Sequence, residues 1–352
     1  MDRPPRIRMV GPRPIELKRR AYTLSKAKMR EIVEGVIQFE VPMRLNPLNY
    51  TYSYLLKDAS TLIDTGVPSD QSYVAFKKQL RKVGFNVKDI ERIIITHLHR
   101  DHVGLLDFIK EESSAKVLAS DEAVKVQEMW QKIRNMEYDN AVKEAKLWGG
   151  GELLKILVRY ELFFKRPRPI IGIDRPIEDG ESLSLDDYQL KTFWTPGHSR
   201  EHICLYDFSR RILFSGDHVL PGITSHISLH TYQDFDPLKD YLLSLEKIRG
   251  LSVNTVLPGH ESVFGDLDGR IDELKKHHEL RCKEIIRALE MGGETVFDVA
   301  SKISWDSKPW PLMNFWNRGM AAAETYAHLV YLKNKRKVTE ENREDVLVYT
   351  TA

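Results

Sequence analysis

Four potential metal ligands fall within six positions of the chain: His97, His99, Asp101 and His102, in His97-Leu98-His99-Arg100-Asp101-His102. Neutral imidazoles together with hard carboxylates suit Zn²⁺, with Mn²⁺ or Fe²⁺ as alternatives. An extended backbone sends alternate side chains to one side, so His97 and His99 can share one ion while Asp101 and His102 reach a second. Three later turns carry further donors: His198 in Thr195-Pro196-Gly197-His198, Asp217 in Gly216-Asp217-His218 and His260 in Leu257-Pro258-Gly259-His260. The expectation is two sites, His97/His99/His198 and Asp101/His102/His260, with Asp217 available to both. Two ions about 3.5–4 Å apart can share a hydroxide and polarise a carbonyl or phosphoryl oxygen. No serine or cysteine nucleophile is then needed, and Asp101 would orient the bridging hydroxide.

Several elements must present these donors. The β-branched run Ile93–Ile95 reads as a buried strand and Val103–Ile109 has helical spacing, so the first four donors sit in a strand–loop–helix unit at the carboxyl end of a strand. Strand-like runs Gln189–Trp194, Arg211–Ser215 and Val253–Val256 precede the later ligand turns. Glycine is expected in such turns where backbone passes close to an ion or takes a positive φ. Upstream, Val36–Val41, Tyr52–Lys57 and Thr61–Asp64 read as a β-meander, followed by a helix over Ser69–Val83. Residues 121–172 are helical in character. An insertion of that size suits a cap over the site or a dimer surface, and its tip, Lys165-Arg166-Pro167-Arg168-Pro169, is basic. Helical patterns over Leu267–Leu289, Thr295–Ile303 and Gly319–Lys333, then two extended segments, suggest a small winged-helix-like domain. The expected division is a basic extension over 1–30, a catalytic domain over 31–265 and a C-terminal domain over 266–352.

Composition narrows the class. The 352 residues hold 53 Lys and Arg against 51 Asp and Glu, a net charge of +2 that argues against a chain built wholly to coat nucleic acid. Residues 1–30 carry ten of those basic groups, and four prolines among the first fourteen positions suggest a solvated or surface-wrapped arm. Cys204 and Cys282 are too few and too far apart for a disulfide framework, and read as core thiols in a reducing cytosol. With no run of eighteen apolar residues and no apolar leader at the N-terminus, the expectation is a soluble cytoplasmic protein with no membrane partner.

His97-Leu98-His99-Arg100-Asp101-His102 resembles the His-x-His-x-Asp-His signature of the metallo-β-lactamase-fold hydrolase superfamily. The later ligands of that family match His198 in TPGHS, Asp217 in SGDH and His260 in PGHE, over roughly residues 32–265. The resemblance implies an α/β fold of αββα sandwich type and a dinuclear zinc-dependent hydrolase. The stretch Ala321–Leu332 resembles a helix of the winged-helix domain appended to the branch that holds glyoxalase-II-like and endoribonuclease-like members. The first functional expectation is hydrolysis of a small ester, thioester or lactone. Phosphodiester hydrolysis on single-stranded RNA is the alternative, favoured by the tail, the basic arm and Lys333-Asn334-Lys335-Arg336-Lys337. Iron-dependent dioxygenation is a third, which a full set of seven donors fits less well. Asp64, in Asp64-Thr65-Gly66, is expected to orient the histidine loop, and Asn49 and His218 to support the ligands or face the substrate. His202 is read as a hydrogen-bonding residue at a strand start, and a homodimer is an open expectation.

Overall fold

The computed structural model describes residues 27–44, 46–133, 137–157, 170–306 and 308–352. Most of the basic N-terminal arm and the basic tip at 165–169 lie outside them.

Seven strands form the first sheet in sequence order: β1 (Met29–Val33), β2 (Val36–Pro42), β3 (Tyr50–Leu56), β4 (Thr61–Ile63), β5 (Arg92–Ile94), β6 (Lys116–Ser120) and β7 (Arg175–Ile177). The first four are an antiparallel meander; β4 to β7 run parallel. The second sheet has the order β12-β11-β10-β9-β8, from β8 (Ser182–Leu185), β9 (Tyr188–Trp194), β10 (Ile203–Asp207), β11 (Ile212–Gly216) and β12 (Thr255–Pro258). Only the β11–β12 pair in it is parallel.

Alternation along each strand assigns the layers. Tyr54, Leu56, Ile63 and Ile94 point between the sheets and meet Leu190, Leu205, Ile212 and Phe214. Their neighbours Leu55, Leu62 and Ile93 point outward against Phe76 and Leu80 of α1 (Asp70–Lys82). The run Ile93–Ile95 is apolar throughout because both faces are covered, as expected of a parallel strand. On the far side, Cys204, Tyr206, Leu213 and Val256 pack against α7 (Pro237–Ile248) and the first half of α8 (Leu267–Glu290). The result is a helix–sheet–sheet–helix sandwich.

The helical run expected over 103–109 is two short helices, α2 (Arg100–Val103) and α3 (Leu106–Lys110). The first begins three residues earlier than its apolar spacing suggested, because Arg100, Asp101 and His102 face the site rather than the core. In the insertion, α4 (Asp121–Ile133), α5 (Glu137–Leu147) and α6 (Gly151–Leu157) precede β7. Residues Met29 and Arg30, assigned from sequence to the extension, belong to edge strand β1, paired with Phe39 and Gln38. After α8 come α9 (Val296–Lys302), α10 (Phe315–Asn334) and the hairpin β13 (Val338–Arg343) and β14 (Val346–Thr351). Trp148, just past α5 in the insertion, is buried in the same core as Ile285, Val296, Leu329 and Tyr349, so the insertion and the C-terminal helices pack together. No helix among the described residues is long and apolar enough to cross a membrane.

Candidate metal centre

All seven expected donors converge at one edge of the sandwich. His97, His99, His198 and Asp217 form one group and Asp101, His102 and His260 another, with the donor atoms of each group within 4.8 Å of one another. Asp217 joins them: its Oδ2 lies 3.6 Å from His198 Nε2, 3.9 Å from His97 Nε2 and 3.3 Å from His260 Nε2, and its Oδ1 lies 3.4 Å from His102 Nε2. Asp101 Oδ2 is 3.3 Å from His260 Nε2.

Four of the five donor rings are fixed by a bond to the nitrogen that faces away from the centre. His198 Nδ1 donates to the His226 carbonyl at 3.0 Å and His260 Nδ1 to the Tyr50 carbonyl at 3.1 Å, since a carbonyl can only accept. His102 Nδ1 donates to Asp64 Oδ2 at 2.8 Å. Thr96 Oγ1 gives its own proton to Asp64 Oδ2 at 2.7 Å and so accepts from His97 Nδ1 at 3.0 Å. Every one of these four rings therefore turns its Nε2 inward, the arrangement that orients metal-ligating histidines. His99 instead brings Nδ1 within 3.0 Å of His198 Nε2, close to the roughly 3.3 Å separation of two nitrogens bound to one tetrahedral ion.

A divalent cation fits this donor set on structural grounds. Among the described residues, His97 Nε2, His102 Nε2 and Asp217 Oδ1 are buried with no hydrogen-bond partner. Leaving such groups unpaired costs about 1–3 kcal/mol each, a cost that coordination removes. Gly259 lets the backbone pass: an added Cβ would overlap Asp217 Oδ1 and lie 2.7 Å from His102 Cε1. Gly216, at φ +49°, makes the turn that carries Asp217.

Electrostatics divides the donors. Burial, reinforced by His102 and His99, drives His97 well below the ordinary imidazole range, and burial with His99 brings His198 down to about 3. Both are neutral, with lone pairs free for a cation. Burial works against charge at His260 too, but Asp217 and Asp101 prevail and raise it to about 10. Asp217 is itself held well below the carboxylate range by His260 and His102 despite its burial.

The supporting residues expected from sequence separate. Asp64 takes the strained φ of +56° and uses both oxygens, Oδ1 on the Thr96 N–H at 2.8 Å and Oδ2 on His102 and Thr96. It braces His102 directly and His97 through Thr96. His202 Nδ1 meets Thr195 Oγ1 at 2.9 Å, and its Nε2 accepts from the Asp217 N–H at 3.1 Å, so it positions a donor from behind. His218 is fully buried against the Tyr241 ring at 5.0 Å and does not line the cavity beside the ligands. Asn49, at φ +65°, donates its side-chain amide to Pro47 O within its own turn. Sequence reasoning missed Glu201, whose buried Oε1 accepts from the Leu98 N–H at 3.0 Å, and also Thr96 and His226. Glu201, one position before His202 in Ser199-Arg200-Glu201-His202, carries no local pattern that marks it.

Beside the ligands lies a cavity of about 580 Å³ whose described lining includes His99 and His198. Its apolar lining comes from Leu98, Val126, Met129, Trp130, Ile171 and Phe235, and its charged lining is of both signs, with Arg100 and Arg200 beside Glu201 and Asp234 and Arg200 paired with Glu122 at 3.1 Å.

Comparison with known proteins agrees with this geometry. Residues 46–260 match the model of the metallo-beta-lactamase superfamily. The beta-lactamase-like protein 2 homolog of Caenorhabditis elegans is 30% identical over 268 residues, 75% of this chain and 73% of that protein. The human acyl-coenzyme A thioesterase MBLAC2 is 43% identical over 94 residues, which cover 25% of this chain and 32% of that protein. Among solved structures, the metallo-beta-lactamase family protein TTHA1429 from Thermus thermophilus superposes with a TM-score of 0.76 at 26% identity, covering 92% of this chain and 100% of that one. The chain belongs to the metallo-beta-lactamase superfamily. It is a metal-dependent hydrolase.

Proposed function

We propose that the protein hydrolyses a small thioester or ester at a dinuclear zinc site held by His97, His99, His198, Asp101, His102, His260 and the bridging Asp217. The observation that carries this reading is Asp217, with one oxygen toward His102 and the other toward His97, His198 and His260. Divalent ions in the two groups would lower the pKa of water from 15.7 toward ~7 and polarise a carbonyl oxygen. Asp101, beside His260 at the more accessible edge of the second group, accepts a hydrogen bond from the attacking water and orients it. The wall of Leu98, Val126, Met129 and Trp130 takes the acyl chain and excludes bulk water. Arg100, at the same cavity, offers a cation to an anionic carrier attached to the acyl group, whereas Arg200 is paired with Glu122 at 3.1 Å. The thioesterase named among the relatives supports the thioester form of this reading.

The apolar side chains of the cavity support a small acyl substrate over RNA, which calls for a basic groove lined by stacking aromatics. The basic run at the end of α10 is partly engaged within the chain as well, with Lys333 on Glu340 at 2.9 Å and Lys335 over the Tyr331 ring. Metal analysis with a substrate panel tests the proposal. Two zinc ions per chain and turnover of acyl thioesters or esters are the expected result. A single iron with a redox-active spectrum, or cleavage of single-stranded RNA alone, would overturn it.

A further inference from the structure

The loop after Asp217, residues 218–236, is anchored by parts of the chain that supply no ligand. Glu261 Oε2 accepts from the N–H groups of Gly222 at 2.7 Å and Ile223 at 3.0 Å. Arg270 on α8 donates to the carbonyls of Leu220 at 2.7 Å and Ile223 at 2.8 Å. Glu144 on α5 accepts from the Thr231 N–H at 2.7 Å and meets His230 Nδ1 at 3.1 Å. From α10, the Ala323 carbonyl accepts from the Leu229 N–H at 3.3 Å, and Glu324 Oε2 meets His226 Nδ1 at 3.1 Å.

The last contact reaches the metal centre. The carbonyl of His226 accepts the Nδ1 proton of His198, so one residue joins Glu324 by its side chain to a ligand by its backbone. Packing does not explain a carboxylate here. Glu324 lies beside buried Ala321 and His328 on α10, and its side chain is only 13% exposed. A charge in that place is costly unless it is paired, and His226 is its hydrogen-bond partner.

We propose that Glu324 is a positioning residue for the His97/His99/His198 group: by holding the His226 side chain it fixes the carbonyl that keeps His198 in the tautomer and orientation that present Nε2 to the ion. The proposal rests on the ligand role given to His198 under the proposed function. It makes the two groups unequal. The Asp101/His102/His260 group is braced by Asp64 and by the Tyr50 carbonyl, both from the first sheet, and takes no support from α10. The C-terminal helix would then govern occupancy of one metal position and not the other.

Calorimetric titration of zinc into the metal-stripped full-length protein tests this, comparing wild type with Glu324→Ala, Glu324→Gln, His226→Ala and His198→Ala. Two binding steps are expected in wild type, with one of them lost in His198→Ala. Glu324→Ala and His226→Ala should each weaken that same step by about tenfold, the scale seen for residues that orient a ligand from behind, and leave the other unchanged. Glu324→Gln, which keeps an acceptor for His226, should restore most of the affinity. The double variant Glu324→Ala/His226→Ala should be no worse than either single one, because the two act as one chain of contacts. A role in folding alone would lower the melting temperature and leave both steps in place. That result, or equal weakening of both steps, overturns the proposal while a step lost in His198→Ala keeps the ligand assignment standing. Two intact steps in His198→Ala would remove the ligand assignment and the proposal with it. If Glu324→Ala does not fold, His226→Ala, which alters a partly exposed loop side chain, breaks the same chain of contacts and decides the question by the same two binding steps.

Discussion

Of the two donor carboxylates, Asp101 is the more accessible, its side chain 25% exposed against 9% for Asp217. Under the proposed function, that contrast suits Asp101 to meeting water and substrate and Asp217 to tying the two donor groups together. Asp101→Ala is expected to lower turnover by at least the 10²–10⁴-fold typical of a lost acid–base or orienting group, and to weaken the second metal site more than the first. Steady-state kinetics alongside zinc stoichiometry read both effects, and equal activity in variant and wild type would discard the role. Asp64 tests a different idea, since it touches no substrate. Asp64→Ala frees His102 Nδ1 and the Thr96 N–H together, and should cost about 10–100-fold in metal affinity, measured against a competing chelator. The ligands themselves were legible in the sequence because each stands in a short motif with a glycine or a strand beside it. Glu201 and His226 were not, since their partners Leu98 and Glu324 are set by tertiary packing and by no local spacing.

At the scale of elements, strand-ending turns were legible while the supports behind them were less so. Helix α7 has its signals in plain view: Asp236 caps it by accepting from the Lys239 N–H, Pro237 stands in its first turn, and Leu238, Tyr241, Leu245 and Ile248 repeat on one face. No element was expected over those residues, although cap, proline and apolar repeat together define an amphipathic helix. The role of α10 as a buttress lay beyond periodicity altogether, and it has a pH signature. Burial tends to raise the Glu324 carboxyl, but the bond with His226 and the neighbouring His226, His328 and Arg281 side chains hold it at about 2, against an ordinary 4.5. A carboxyl depressed on folding stabilises the fold fully above its unfolded pKa, and that contribution fades as pH falls from about 4.5 toward 2. Urea denaturation of wild type and Glu324→Gln should therefore differ most near neutral pH and converge in acid. A gap that stays constant from pH 7 to pH 3 would contradict the charged role.

For the whole molecule, the metal centre draws on both halves of the sandwich, with His97 to His102 following the first sheet and His198, Asp217 and His260 arising from the second. Ions bound there tie the sheets together, so their removal should destabilise the entire fold. At a free zinc concentration 100 times the Kd, binding adds about 2.7 kcal/mol, and dialysis against a chelator should lower the melting temperature and abolish hydrolysis, both restored by zinc. An unchanged melting temperature on stripping would show that the donors are not occupied. The same long reach has a temporal meaning. His99 and His198 stand ninety-nine positions apart in the chain yet end 3.0 Å from each other. The His97/His99/His198 group cannot close until β5 and β9 have found their separate sheets and the sheets have docked, and the Asp101/His102/His260 group waits likewise on β12, so capture of metal would fall late in maturation. A nascent chain released before that point would carry unpaired imidazoles and little avidity, so zinc uptake would serve as a timestamp for completed assembly.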